Sequence, residues 1–328
     1  YNNKFGVPLS LSNLKKNTEY GVFEIGMDKK GEINNLSRMV KPEIAVITNI
    51  SEAHFKNFNT LKDIAKAKGE IIDNISKDGN IILNKDDKFF NFLKNKALKK
   101  KLKIISFSEK NNADIRMIKI TRKKSNYLLI LKISNNIKKF IIKESLKFYI
   151  VNILATIAVI LNYTDFQSLK ANFFYNFKIP KGRGDFSKIK LNNKSINIVD
   201  ESYNSNPLSL EFAINNFNKM NVSSKSKNIL LGDMLELGKF SKNLHKEAAK
   251  IVNKSKINKV FVYGKDIKET FNKIKTQKKG RILNSKKEII SLMKNDLRDN
   301  DYLMVKASNA TGLNNVISQI KLGQLNVI

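Results

Sequence analysis

The sequence predicts an α/β protein of two domains. The first has a mostly parallel sheet with an antiparallel patch, and the second a mostly parallel sheet covered on both faces. Three observations predict this. The 328 residues give room for two ordinary α/β cores. Short apolar runs alternate with segments whose apolar residues recur at helical spacing. A Pro/Gly stretch, Lys178-Ile179-Pro180-Lys181-Gly182-Arg183-Gly184, separates two such series and sets the domains at residues 1–178 and 179–328.

In the first domain the strand-like runs are Tyr20–Ile25, Ile44–Asn49, Asn80–Leu83 and Leu102–Phe107, with a helix over Leu61–Ile75. Asp114–Thr121, Tyr127–Ile133 and Lys138–Lys143 follow with turn signals between them, which predicts the antiparallel patch. A helix over Tyr149–Leu161 ends the domain. The second domain alternates strictly. Strands at Ile196–Val199, Asn228–Leu231, Lys259–Tyr263, Arg281–Leu283 and Tyr302–Val305 are separated by helices at Ser209–Met220, Lys242–Lys254, Ile267–Thr276, Lys286–Leu297 and Leu313–Lys321. Such alternation argues a parallel sheet between two helical layers.

Composition narrows the function classes. The chain has no cysteine, so disulfides and thiolate chemistry are excluded, which fits a reducing compartment. The opening from Tyr1 to Pro8 has no long apolar core and is not a signal peptide. The longest apolar run, Ile150 to Leu161, is too short for a span and is broken by Asn152 and Thr156. These features predict a cytoplasmic protein. The chain starts at Tyr1 rather than Met, and a preceding segment is expected. The net charge of +32 raises nucleic-acid binding as a reading. The lysines, however, are spread through every segment alongside abundant Asn, Ile and Phe, as AT-rich codon usage produces. The one dense basic run, Lys94 to Lys103, has no interleaved aromatics to stack bases. General charge drift is therefore preferred to a nucleic-acid partner.

Open α/β sheets bind ligands outside the carboxyl ends of their strands. Ionisable residues gather there on five predicted strands: Glu24; Glu52 and His54 beyond Asn49; Asp200 and Glu201; Asp233; and Lys306. Glu24 is placed like a strand-end carboxylate supporting Mg²⁺ beside nucleotide phosphates, though a capping or solvated Glu occupies such a place equally well. His54 stands in a polar loop beyond an apolar strand. Lys68 lies within the apolar stripe Leu61, Ile64, Ala65, Ile71, Ile72, Ile75, four residues from both Ile64 and Ile72. Such a lysine either snorkels to the surface or is desolvated toward its neutral amine. The neutral amine can react with carbon dioxide to give a carbamate.

The segment Gly232-Asp233-Met234-Leu235-Glu236-Leu237-Gly238, followed by Ser241 and His245, resembles a signature of the Mur family of ATP-dependent amino-acid ligases, in its D-alanyl-D-alanine-adding branch. Other segments agree in order and spacing. They are Asn2-Asn3 with Gly6-Val7-Pro8, Glu24-Ile25-Gly26, Thr48-Asn49-Ile50 with Glu52-Ala53-His54, Ala65 to Glu70, and Asn84 with Asp86-Asp87. In the second domain Gly182-Arg183-Gly184 precedes Asp200-Glu201-Ser202-Tyr203-Asn204-Ser205-Asn206-Pro207. The resemblance runs from end to end.

It implies the central ATPase domain and the Rossmann-like C-terminal domain of such a ligase. The UDP-recognising first domain and the phosphate loop would lie upstream, since no Gly-x-x-x-x-Gly-Lys-Ser/Thr pattern occurs in these residues; this fragment alone is expected to be inactive. It further implies ATP and Mg²⁺ as cofactors, with UDP-MurNAc-tripeptide and D-alanyl-D-alanine as substrates of a monomer. Glu24 and His54 would hold Mg²⁺, and Lys68 would be a carbamylated lysine at the second ion. Asn84 would lie near the adenine, and Arg183, Asp200, Glu201, Tyr203 and Asn204 would contact ATP. Asn2 and Asn3 would meet the nucleotide-sugar substrate, and Asp233 and Lys306 the incoming dipeptide or acyl group. Three positions depart from the pattern. Leu146, Lys147 and Phe148 replace the usual Gly-x-His before Asn152, Glu201 stands where Asp is commoner, and Lys306-Ala307-Ser308 replaces Lys-Gly-Ser. Another ligase of the superfamily, such as a folylpolyglutamate synthase, a basic nucleic-acid binder and a non-catalytic remnant are the remaining alternatives.

Overall fold

A computed structural model describes residues 2–52, 55–191 and 193–324. The chain divides into two units, Tyr1–Phe177 and Lys178–Ile328, and the strands described fall into two six-stranded sheets. The first unit opens with α1 (Gly6–Ser12) and α2 (Glu32–Val40), then runs β1 (Ile44–Ile47), α3 (Leu61–Lys68), β2 (Asn80–Asn84), α4 (Phe90–Lys99) and β3 (Lys103–Ser108). β4 (Ile115–Lys123), β5 (Asn126–Ile133), β6 (Asn136–Lys143) and α5 (Ile150–Ile160) complete it. The sheet order is β1-β2-β3-β4-β5-β6, parallel as far as β4 and antiparallel from there to β6. Both faces of β2 are buried, Ile81 and Leu83 on one and Ile82 on the other, as a parallel strand between layers requires. Ile81 and Leu83 share a core with Ile64, Ala65 and Ala67 of α3 and with Leu93 and Ala97 of α4.

Two expectations change here. The run Tyr20–Ile25 has no regular secondary structure and is not a strand. Its side chains alternate, yet Val22 is 96% exposed, and a strand is held by ladder bonds to a neighbour, whereas β1 pairs only with β2 among the described residues. The helix expected over 61–75 is α-helical only to Lys68 and then tightens into a 3₁₀ turn over Gly69–Asn74. Thr60 and Asp63 form a capping box at its start. The tighter turn aims the Glu70 carboxylate at the Gly31 and Asn34 N–H groups (2.8 and 3.1 Å), where it caps α2.

The second unit comprises β7 (Asp185–Leu191), β8 (Lys194–Glu201), α6 (Pro207–Lys219), β9 (Lys227–Gly232), α7 (Ser241–Lys254), β10 (Lys259–Tyr263), α8 (Lys268–Lys273), β11 (Lys279–Leu283), α9 (Lys287–Ser291), β12 (Tyr302–Lys306) and α10 (Leu313–Lys321). Its sheet runs β11-β10-β9-β12-β8-β7, with β7 antiparallel at the edge. Alternate residues face opposite layers. Leu303 and Val305 pack with α9 and α10, and Met304 packs with α6, α7 and α8. β8 and β12 are neighbours, yet the helices that follow them, α6 and α10, lie on opposite faces. That arrangement opens a crevice at the strands' carboxyl ends. No helix among the described residues is long and apolar enough to cross a membrane.

Candidate active site

In the first unit the loops beyond β1, β2 and β3 are tied together by side chains of one short segment. Asn84 donates to the Thr48 carbonyl (2.9 Å) and accepts from the Asp86 N–H (2.9 Å), so both ends of its amide are engaged. Asp86 accepts from the Ser108 hydroxyl (2.6 Å), the Glu109 N–H (2.7 Å) and the Asn111 amide (2.7 Å). Burial pushes its carboxyl up, and these hydrogen bonds outweigh that and hold it below its ordinary value. Asp87 accepts from the Ile50 N–H (2.6 Å) and the Phe89 N–H (2.8 Å).

Lys68, at the last position of α3, turns its ammonium to the Asn49 carbonyl (2.9 Å). Burial lowers its pKa, and the nearby Asp87 charge opposes that shift without cancelling it. The lysine is thus brought beside the loop after β1 and moved toward its neutral amine. Glu24 is exposed on its irregular segment and accepts from the Asn2 amide at 3.0 Å. Asn3 instead accepts from the Phe5 and Gly6 N–H groups (3.1 and 3.0 Å) and so holds the start of α1. His54 lies outside the described residues.

Mg²⁺ keeps several waters and takes one or two carboxylates plus substrate phosphates. Glu24 is a donor of that kind. Among the described residues no group of three or more His, Asp or Glu gathers into a ready-made cage.

In the second unit four loops meet at the crevice between β8 and β12. The Lys306 side chain is 3% exposed. It donates to the carbonyls of Glu201 (3.4 Å) and Asn204 and lies 3.9 Å from the Glu201 carboxylate. Ser308 ties three loops: its hydroxyl donates to Ser205 O (3.1 Å) and accepts from Leu235 N–H (2.9 Å), while its own N–H donates to Asp233 O (3.1 Å). Asn206 caps α6 in a capping box with Ser209, and Pro207 sits at the first helical position. On the open side the Arg183 guanidinium stacks on the Tyr203 ring, 4.3 Å from its centre. Gly182, at φ +73°, is pressed so close that a Cβ would lie 3.1 Å from the Tyr203 N.

Asp200 does not face the crevice as a free acid. It is 4% exposed, and its carboxylate accepts from Ser202 N–H (3.0 Å) and Lys321 Nζ (2.6 Å). Asp233 is likewise engaged, accepting from Lys265 N–H (2.9 Å) and Ile267 N–H (2.8 Å), so it anchors the loop before α8. The resemblance-bearing stretch 232–245 is held by His245, wholly buried, which accepts from Met234 N–H (3.0 Å) and lies 2.8 Å from Ser241 O through Nδ1. A carbonyl at Nδ1 and an N–H at Nε2 select the neutral tautomer protonated at Nδ1. Two residues at this site were not singled out from the sequence. Ser308 sits two places after Lys306 in the Lys306-Ala307-Ser308 segment, and Lys321 falls four residues after Ile317 on the apolar stripe of α10. A lysine inside such a stripe was the available signal.

Burial pushes Glu201 up to about 7 and Lys306 down to about 8, each against the attraction of the other. For Glu201 the folded pKa lies above the unfolded one, so its contribution to stability is complete below about pH 4.5 and is lost as pH rises through about 7. Glu201→Gln removes that titration. In chemical denaturation, the stability of the wild type relative to Glu201→Gln is expected to fall as pH rises from about 4.5 to about 7. A difference that stays flat over that range would contradict a buried, upshifted Glu201.

Parallel strands deliver acids, amides and a lysine to their carboxyl ends in each of the two α/β units, the place where such sheets bind ligands. Similarity to known proteins assigns the class, that of ATP-dependent ligases. The profile of the Mur ligase middle domain matches residues 1–160, and that of the Mur ligase, glutamate ligase domain matches residues 186–309. The chain belongs to the Mur ligase family. Within it, the chain is 34% identical to the UDP-N-acetylmuramoyl-tripeptide–D-alanyl-D-alanine ligase of Buchnera aphidicola subsp. Baizongia pistaciae, over 97% of this chain and 67% of that protein. It is 30% identical to the ligase of the same name from Bacillus subtilis, over 98% and 68%. The fold is that of the MurF crystal structure from Acinetobacter baumannii, with a TM-score of 0.84 at 24% identity over 98% of this chain and 69% of that one. A MurF ligase from Thermotoga maritima, solved in complex with ADP, gives 0.82 at 22% over 99% and 72%.

Proposed function

We propose that this chain carries the ATPase and ligase domains of an enzyme that joins D-alanyl-D-alanine to UDP-MurNAc-tripeptide at the expense of ATP, in peptidoglycan precursor synthesis. The observation that carries the reading is similarity along nearly the whole chain to ligases bearing that name, at 34% identity for one of them. The site chemistry is consistent with it. A terminal carboxylate of the tripeptide attacks the γ-phosphorus of ATP and ADP departs, leaving an acyl phosphate. The dipeptide amine then attacks the acyl carbon, loses a proton and expels phosphate.

Carboxylate and triphosphate repel one another, so positive charge must lie between them. Mg²⁺ bound with the nucleotide would supply part of it, with Glu24, His54 and carbamylated Lys68 as the protein groups that hold the ions. The lowered pKa of Lys68 supports the carbamate, because only the neutral amine adds carbon dioxide. In the second unit the Arg183–Tyr203 stack presents a cation and an aromatic face suited to a nucleotide. Asn84, Asp200, Glu201 and Asn204 shape the loops around the nucleotide. Asn2 acts near the nucleotide-sugar through Glu24, and Asn3 through the start of α1. Asp233 and Lys306 order the side of the crevice where the acceptor would enter. A reaction driven by ATP suits the cytoplasm.

Phosphate release from ATP by the intact enzyme tests the reading. Release is expected only when UDP-MurNAc-tripeptide and D-alanyl-D-alanine are both present. Equal release with glutamate as acceptor would favour a folylpolyglutamate-type ligase instead, and release indifferent to the acceptor would sink the proposal.

A further inference from the structure

Lys321 closes α10, whose Leu313, Val316, Ile317 and Ile320 are buried in the core. Its ammonium does not snorkel outward but meets two carboxylates, Asp185 Oδ2 at 2.7 Å and Asp200 Oδ2 at 2.6 Å. These acids sit directly opposite each other on β7 and β8, so without a cation between them they would repel. The three side chains are 18%, 22% and 6% exposed, so water screens them weakly.

The remaining oxygen of each acid continues the chain of contacts. Asp185 Oδ1 accepts from the Gly182 N–H, and Asp200 Oδ1 accepts from the Ser202 N–H and hydroxyl. The two turns are also joined directly, Tyr203 N–H to Gly182 O at 3.0 Å and Gly184 N–H to Asp200 O at 2.7 Å. Arg183 lies between those glycines and stacks on Tyr203. One ammonium therefore ties the end of a core helix to both turns that present the exposed Arg183–Tyr203 stack.

We propose that Lys321 is a positioning residue for the nucleotide: by clipping Asp185 to Asp200 it holds the Gly182–Gly184 turn where Arg183 and Tyr203 meet ATP. This rests on the nucleotide role proposed above for those two residues. Lys321 itself touches no substrate. A purely structural ion pair at a helix end would lower stability and leave the nucleotide affinity of the folded protein unchanged.

The test measures KM for ATP, kcat at saturating ATP, and ADP affinity by calorimetry, in the intact enzyme as wild type, Lys321→Met and Lys321→Arg. Lys321→Met is expected to raise KM and the ADP Kd about tenfold while kcat stays within about threefold, as expected when binding groups are misplaced. Lys321→Arg is expected to restore most of the affinity, since a guanidinium can bridge both carboxylates. If Lys321→Met fails to fold, Lys321→Met/Asp185→Asn removes the repulsion and carries the same measurement. A folded variant lacking Lys321 that binds ADP and uses ATP like the wild type overturns the inference alone. An intact wild-type enzyme that neither binds adenine nucleotide nor ligates overturns the proposed function, and the inference with it.

Discussion

In the intact enzyme, Lys68→Ala is expected to lower ligation on the order of a thousandfold, the scale on which removing one organised charge-stabilising group acts. The side chain sits at the end of α3, its ammonium on the Asn49 carbonyl and in the field of Asp87. Two species fit that place. As a carbamate it would be an anion supplying oxygens to a hard cation; as an ammonium it would be a cation fastening the loop after β1. Rescue experiments separate them. Short carboxylates added to Lys68→Ala should restore part of the activity if the carbamate is the working form, and short alkylamines should do so if the ammonium is. The proposed role predicts carboxylate rescue. Turnover of Lys68→Ala equal to that of the wild type would remove Lys68 from the chemistry altogether.

Lys306→Met is expected to destabilise the protein by about 3 kcal/mol, the cost typical of removing one partner of a buried pair. The loss has two parts. The carbonyls of Glu201 and Asn204 lose a donor, and Glu201 loses the positive charge that opposes its burial. Glu201→Gln in the same background takes away the buried carboxylate, so the double variant should recover part of the loss, and a double-mutant cycle should show coupling between the positions. Urea denaturation at pH 7 provides the measurement. A Lys306→Met protein within about 0.5 kcal/mol of wild type, at unchanged m-value, would mean that the pair contributes nothing to holding the crevice.

Much of the architecture was legible in local pattern. β10 and α10 begin and end where periodicity placed them, and the switch from parallel to antiparallel pairing follows the three turn-separated runs after β3. Periodicity succeeds there because a strand or helix between two layers must present apolar residues at its own repeat. It failed at Tyr20–Ile25, where alternation is present but a ladder neighbour decides whether a strand exists. It also missed α1, α2 and β7. Two of these carry many polar residues: the stretches Glu32–Val40 and Asp185–Leu191 have few core positions from which to read a period.

The site divides the same way. Residue types and their order along the chain marked Asp200, Glu201, Asp233 and Lys306 at or just beyond the ends of real strands. Lys68 was marked by its place in an apolar stripe, Arg183, Tyr203 and Asn204 by the resemblance alone, and Glu24 by a run that is not a strand. Which of these side chains are engaged inside the protein was not contained in that order. Asp200 meets Lys321 from 121 residues away, and Asp233 meets the amides of Lys265 and Ile267. A carboxylate looks alike in sequence whether it awaits a ligand or already accepts hydrogen bonds. Only the folded chain brings distant donors within 3 Å, and that proximity assigns Asp200 and Asp233 to holding loops while the stacked Arg183 and Tyr203 stay exposed.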